Sequence, residues 1–168
     1  MPNVYLVGFM GTGKTAVAKL LAKKLNRVIA DMDVLIVQRE KMPIAEIFKT
    51  KGENYFRALE KNIVNELSPK DNLVVACGGG TFVDPENIER LKKSGTVICL
   101  TSSAKTILKR TEKTLLRPLL NVADPESRIK ELLVKRQPSY AQAHHTIDAD
   151  LLTVQETAQE ILKIMSKI

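Results

Sequence analysis

The stretch richest in potential chemistry is Gly8-Phe9-Met10-Gly11-Thr12-Gly13-Lys14-Thr15, which fits G-x-x-x-x-G-K-[ST]. Glycines at these positions let the backbone enter positive-φ geometry and bring its N–H groups against phosphate oxygens. A helix starting there adds the partial positive charge of its N-terminus. Lys14 is then placed to reach the β- and γ-phosphates of a nucleoside triphosphate, and the Thr15 hydroxyl to hold Mg²⁺. The rival is a glycine-rich turn with no ligand, disfavoured by the complete pattern and by the apolar run before it. A dinucleotide-binding turn is also disfavoured, because the spacing is G-x-x-G-x-G and not G-x-G-x-x-G.

Further polar residues are candidates for the same site. Asp31 and Asp33 follow a short apolar run, and strand alternation puts i and i+2 on one side. One acid then serves Mg²⁺ and the other takes a proton from an attacking hydroxyl. The alternative for Asp33 is a helix N-cap before Val34-Leu35. Arg57, with Glu60 at i+3, suits planar carboxylate or phosphate recognition; an exposed helix-surface ion pair is its alternative. Arg136 lies seven positions after Ile129, on the stripe formed with Leu132 and Leu133 behind an Asp124-Pro125 helix start. An arginine facing inward must meet an anion or a buried acid, unless the helix end leaves it half exposed. Arg117, in a basic segment, has the character of a cation closing over a triphosphate. Arg110 either lies on an adenine face or ends a helix. Gly78-Gly79-Gly80 follows an apolar run, and three consecutive glycines suggest close backbone approach to a ligand. His144-His145, Cys77 and Cys99 read as structural or surface residues.

The elements that must hold these groups follow from the apolar pattern. Runs at Val4–Val7, Val28–Ala30, Leu73–Ala76, Thr96–Leu100 and, weakly, Thr146–Asp148 alternate with longer stretches of helical period. This is an α/β chain with a parallel sheet. Two segments break the alternation. From Val34 to Leu67 the sequence predicts about three helical pieces, broken at Pro43 and Gly52. From Thr111 to Asp124 it is mixed and basic, and reads as a mobile loop with few residues to bury.

Composition sets the outer limits. The chain has 168 residues, the length of a single domain, and 44% are apolar, enough for a core. No apolar run approaches the roughly 18 residues of a membrane-spanning helix, and the N-terminus carries no signal-peptide pattern. Two cysteines without metal or CxxC spacing suit a reducing cytoplasm. The excess of 26 Lys and Arg over 19 Asp and Glu, a net +7, suits an anionic partner. With seven aromatics and no Trp, the base-stacking platform of many RNA binders is missing, so nucleic acid is not expected as a partner.

Taken together, GFMGTGKT at 8–15, DMD at 31–33, GENYFRALE at 52–60, CGGG at 77–80, RPLL at 117–120 and RQPSY at 136–140 resemble the shikimate kinase family of the P-loop kinase superfamily. The resemblance runs over essentially the whole chain. It implies one three-layer α/β/α P-loop kinase domain over 1–168, with a five-stranded parallel sheet in the order 2-3-1-4-5. It also implies a helical shikimate-binding insertion at 32–61 and a lid at 111–124. The implied reaction is transfer of the ATP γ-phosphoryl group, with Mg²⁺, to the 3-hydroxyl of shikimate, within chorismate and aromatic amino acid synthesis.

Carried over by position, the resemblance assigns ATP binding to Gly11, Thr12, Gly13, Lys14, Thr15, Ala16, Arg110 and Arg117. It assigns the metal to Thr15 and Asp31, and the shikimate hydroxyls to Asp33, the candidate base. The shikimate carboxylate falls to Arg57 and Arg136, with Gly79 as a backbone contact. Lys14, Asp33 and Arg117 become the catalytic residues of a cytoplasmic monomer that meets neither membrane nor nucleic acid. One departure is Cys77, where the family usually carries Ser or Thr, a better donor than a thiol. The rival readings are a related kinase for gluconate or a nucleoside monophosphate, and a nucleotide- or nucleic-acid-binding module without turnover.

Overall fold

A computed structural model of the chain describes residues 1–111 and 118–167. The first strand, β1 (Asn3–Val7), is buried along its whole length, so its side chains face apolar surroundings on both sides of the sheet. Alternation divides them. Val4 and Leu6 pack with Val17, Ala18 and Leu21 of α1 (Lys14–Leu25) and with Ala158 and Ile161 of α7 (Val154–Met165). Tyr5 and Val7 face the other layer, with Phe56, Ile63, Leu91 and Ile129. Each fully buried aliphatic side chain of these two clusters contributes about 1.5–3 kcal/mol.

Around β1 lie β2 (Val28–Asp31), β3 (Leu73–Ala76), β4 (Gly95–Thr101) and β5 (His145–Asp148). The sheet is all parallel, in the order β2-β3-β1-β4-β5, as the sequence resemblance implies. This is the three-layer P-loop kinase architecture. The order reverses at β1, and in such sheets the crevice beyond the strand C-termini at the reversal is where ligands bind.

Between β2 and β3 the chain is helical. Helix α2 (Met32–Glu40) starts directly at the end of β2, and α3 (Ile44–Leu67) is interrupted at Gly52, whose φ of 83° and ψ of 169° break its helical course. The three helical pieces expected there are present. Helix α4 (Pro85–Ser94) leads into β4, α5 (Ala104–Thr111) follows it, and α6 (Pro125–Tyr140) leads into β5. Asp124 caps α6 through the Ser127 N–H at 3.1 Å, with Pro125 in the first turn.

Of the segment expected to be a mobile loop, 112–117 lie outside the described residues. Residues 121–124 are exposed, in line with few residues to bury, whereas 118–120 differ. Pro118–Leu120 forms a 3-10 turn, Leu120 is buried and Leu119 packs on the core. Two leucines in one short turn present enough apolar surface to seat it.

Candidate active site

The Gly8–Thr15 segment leaves β1 and turns into α1. Gly13 is the N-cap of α1 at φ 95°, ψ 9°, and a Cβ at Gly8 would strike the Leu100 carbonyl. A side chain is therefore excluded at Gly8 by contact and disfavoured at Gly13 by conformation. No side chain caps α1 and no acid lies in its first turn, so its N-terminal N–H groups and their partial charge remain available to an anion. They open into a cleft lined by Gly11, Gly13, Lys14, Thr15, Ala16, Asp31 and Asp33, among others. Lys14 is buried, its ammonium donating to the Gly8 and Phe9 carbonyls at 2.8 and 2.7 Å. Thr12 turns inward, its hydroxyl on the Phe9 carbonyl at 2.8 Å. Arg110, in the last turn of α5, reaches over the loop to the Gly11 carbonyl at 3.2 Å. Arg117 lies outside the described residues.

The two aspartates enter this cleft by a different route from strand alternation. β2 ends at Asp31, and Asp31 is the residue that caps α2, accepting from the Val34 N–H at 3.2 Å. Asp33 is not the cap. It stands in the first turn of α2, and a helix turn, not a strand pleat, carries its carboxylate to the cleft. Thr15 donates to Asp31 Oδ2 at 2.7 Å. A hydroxyl and a carboxylate meeting at the edge of a phosphate-sized cleft form the hard-oxygen donor set that suits Mg²⁺.

A second cleft shares Met10, Asp33 and Gly79 with the first and extends toward α3 and α6. Ile44, Phe48, Phe56 and Leu119 form its apolar wall; Arg57, Glu60 and Arg136 supply its other charges. Arg57 is held on two sides, by Glu60 at 2.6 Å and Glu53 at 2.9 Å. Glu60 is buried and also accepts from the Thr81 hydroxyl at 2.7 Å. Burial pushes its carboxyl above the ordinary carboxylate range, with the Arg57 charge opposing.

Arg136 is only 6% exposed. It donates to the Gly79 carbonyl at 3.1 Å and lies 5.3 Å from the centre of the Phe9 ring. No described carboxylate comes within ion-pair distance of it. A buried guanidinium so placed is incompletely compensated and favours an anion from outside the chain.

The three glycines explain how these charges converge. A Cβ at Gly78 would overlap the Glu60 carboxylate, and at 3.3 Å would crowd Asp33. A Cβ at Gly79 would come within 3.2 Å of the Met10 nitrogen and 3.7 Å of Arg136 Nη1. A Cβ at Gly80 would overlap the Arg57 guanidinium. Gly78 and Gly80 clear space for charged side chains and Gly79 for the Met10 backbone, a requirement beyond the close ligand approach inferred from sequence. Tyr140, four residues beyond Arg136, went unremarked as a site residue. Its hydroxyl donates to the same Gly79 carbonyl at 2.6 Å, and burial pushes its pKa up to about 12. Its i+4 spacing from an inward arginine was the available signal. Cys77 is buried against the phosphate cleft, and burial raises its thiol far above the usual range, so it stays protonated. Arg57 and Arg136 thus face one cleft and the glycine-rich loop faces its neighbour, with Asp33 at the junction.

Known proteins resemble the chain over nearly its whole length. The family model described as "Shikimate kinase" matches residues 10–166. The shikimate kinase of Thermodesulfovibrio yellowstonii is 47% identical over 163 residues, covering 97% of this chain and 94% of that protein. That of Caldanaerobacter subterraneus subsp. tengcongensis is 45% identical over 168 residues, covering 100% and 98%. Among solved structures, shikimate kinase from Acinetobacter baumannii in complex with shikimate superposes with a TM-score of 0.96 at 39% identity, covering 99% of this chain and 94% of that one. A gluconokinase from Sinorhizobium meliloti shares the fold, with a TM-score of 0.60 at 14% identity. The chain belongs to the shikimate kinase family.

Proposed function

We propose that the chain transfers the terminal phosphoryl group of ATP to the 3-hydroxyl of shikimate, giving shikimate 3-phosphate and ADP, a step toward chorismate. The observation that carries this reading is the sharing of Asp33 between the two clefts. A triphosphate seated on the Gly8–Thr15 loop and an acid seated against Arg57 and Arg136 bring the γ-phosphorus and a ring hydroxyl together at that carboxylate. The acceptor oxygen forms the new P–O bond, the bond to the bridging β–γ oxygen breaks, and ADP leaves. Asp33 orients the hydroxyl and accepts its proton.

Lys14 stabilises the transferring group electrostatically, together with the N-terminus of α1. It must exchange its bonds to the Gly8 and Phe9 carbonyls for phosphate oxygens. Thr15 and Asp31 would hold Mg²⁺, which supplies charge neutralisation on the phosphates when bound. In this reading Arg110 lies beside the base and Arg117 belongs to the closing segment. Phosphoryl transfer depends chiefly on positioning and electrostatics, so the acid clamp contributes to rate as well as to selectivity.

The relative from Acinetobacter baumannii, solved with shikimate, supports this choice of acceptor. The two unpaired buried cysteines fit a cytoplasmic setting, and no described helix is long and apolar enough to cross a membrane. The test is ADP release with shikimate, gluconate and nucleoside monophosphates as acceptors. Turnover with shikimate alone is expected. Preference for gluconate or a monophosphate overturns the assignment, and salt-sensitive binding to DNA or RNA without turnover favours a binding module instead.

A further inference from the structure

Beside the acceptor cleft, and not lined by Asp33, lies a groove with about 540 Å³ of open space. It shares Arg57, Gly80, Leu119 and Arg136 with the acceptor cleft and adds Arg128 and Lys135. Arg128, Lys135 and Arg136 sit at i, i+7 and i+8 on α6, so one helix face carries all three. The charge balance of the two spaces differs sharply. The acceptor cleft sets two cations against the carboxyl groups of Asp33 and Glu60. The groove sets four cations against Glu53 alone, and Glu53 is already engaged by Arg57. Arg128 is paired with Glu131 at 2.8 Å, whereas Lys135 makes no ion pair among the described residues.

We propose that this groove is a second anion site, which takes a small doubly charged oxyanion and competes with the acceptor through the shared arginines. Arg57 already gives Nε and Nη2 to Glu53 and Nη1 to Glu60. Arg136, with Lys135 beside it, is therefore the main donor to an anion on either side. An oxyanion drawing Arg136 toward Lys135 withdraws it from the acceptor carboxylate. Inorganic phosphate and free dicarboxylates share the required chemistry. The proposal uses the acceptor reading only for the competition, and the binding itself needs no turnover.

The test uses the full-length protein with its glycine-rich loop saturated by a non-hydrolysable ATP analogue and Mg²⁺, so that phosphate cannot occupy that loop. Inorganic phosphate and malonate are titrated separately by calorimetry at constant ionic strength, and the stronger binder names the source class. Binding is expected to weaken about tenfold in Lys135→Ala and further in Lys135→Glu, the loss of one charge-assisted contact. In turnover assays the bound anion raises the apparent KM for shikimate without lowering kcat, and Lys135→Ala leaves the anion-free KM within twofold. Undetectable binding of both anions, or equal binding in wild type and both Lys135 variants, overturns the proposal. Failure of shikimate as an acceptor leaves the calorimetric result standing, so the two readings fail separately.

Discussion

Replacing Arg136 with Met should make the unliganded protein more stable and a much poorer kinase. Arg136 is 6% exposed, and its contacts are the Gly79 carbonyl at 3.1 Å, the Tyr140 hydroxyl and the Phe9 ring face at 5.3 Å. The effective desolvation penalty of such a buried cation is several kcal/mol. Against it stand a charged hydrogen bond of about 1.5–3 kcal/mol and a cation–π contact of about 0.5–2 kcal/mol. Methionine has similar reach and no charge, and the Gly79 carbonyl keeps its 2.6 Å bond from Tyr140, so no acceptor is orphaned. The expected gain is about 1 kcal/mol, or roughly 3 °C in Tm for a chain of this size. In the complex the same substitution removes a buried charge pair with the acceptor carboxylate. That loss is about 3 kcal/mol, on the order of 150-fold in kcat/KM for shikimate. Arg136 does not line the phosphate cleft, so ATP affinity should hold. Calorimetric Tm in an anion-poor buffer and ADP-release kinetics with varied shikimate read both effects. A Tm lowered by several degrees with kcat/KM intact would make Arg136 a purely structural cation.

Three further outcomes are expected. Tyr140→Phe leaves the Gly79 carbonyl to Arg136 alone, lowering stability by about 1 kcal/mol and raising the shikimate KM about fivefold with kcat nearly unchanged; denaturant melts and steady-state kinetics check both. Asp31→Asn keeps a good N-cap on α2 but removes a charged metal donor. The Mg²⁺ concentration for half-maximal rate should therefore rise about tenfold while Tm stays put; an unchanged Mg²⁺ requirement would remove Asp31 from the metal site. Glu60 is pushed up by burial, so the fold takes up its proton more readily than the unfolded chain does. Its contribution is full below the ordinary carboxylate range and is lost as pH rises through the folded value. Glu60→Gln should flatten that part of the stability–pH curve, as read by denaturant unfolding across the weakly acidic to neutral range.

Much of this site was legible in the sequence because it is written locally. The glycine-rich loop is contiguous, and Arg136 continues the stripe of Ile129 and Leu132, so its inward direction follows from helical period alone. The sheet order, by contrast, was available only through resemblance, since strand pairing depends on contacts far apart in sequence. Asp31 and Asp33 line one cleft, but by a geometry other than strand alternation. The Asp31 side chain captures the Val34 N–H and starts a helix where strand alternation was assumed. From sequence, three consecutive glycines suggest only room for a ligand. Their neighbours Glu60, Arg57 and Met10 come from elsewhere in the chain, and no local pattern announces them. Leu119 and Leu120 were hidden for a similar reason, because a basic, aperiodic stretch masks two apolar residues that seat a short turn.

Recognition by Arg136 of a carboxylate on the molecule being phosphorylated is read by a cycle that pairs wild type and Arg136→Met with shikimate and its methyl ester. If Arg136 binds that carboxylate, esterification lowers kcat/KM on the order of 100-fold in wild type and only a few-fold in Arg136→Met, a coupling of at least about 2 kcal/mol. Equal losses in both proteins would contradict it.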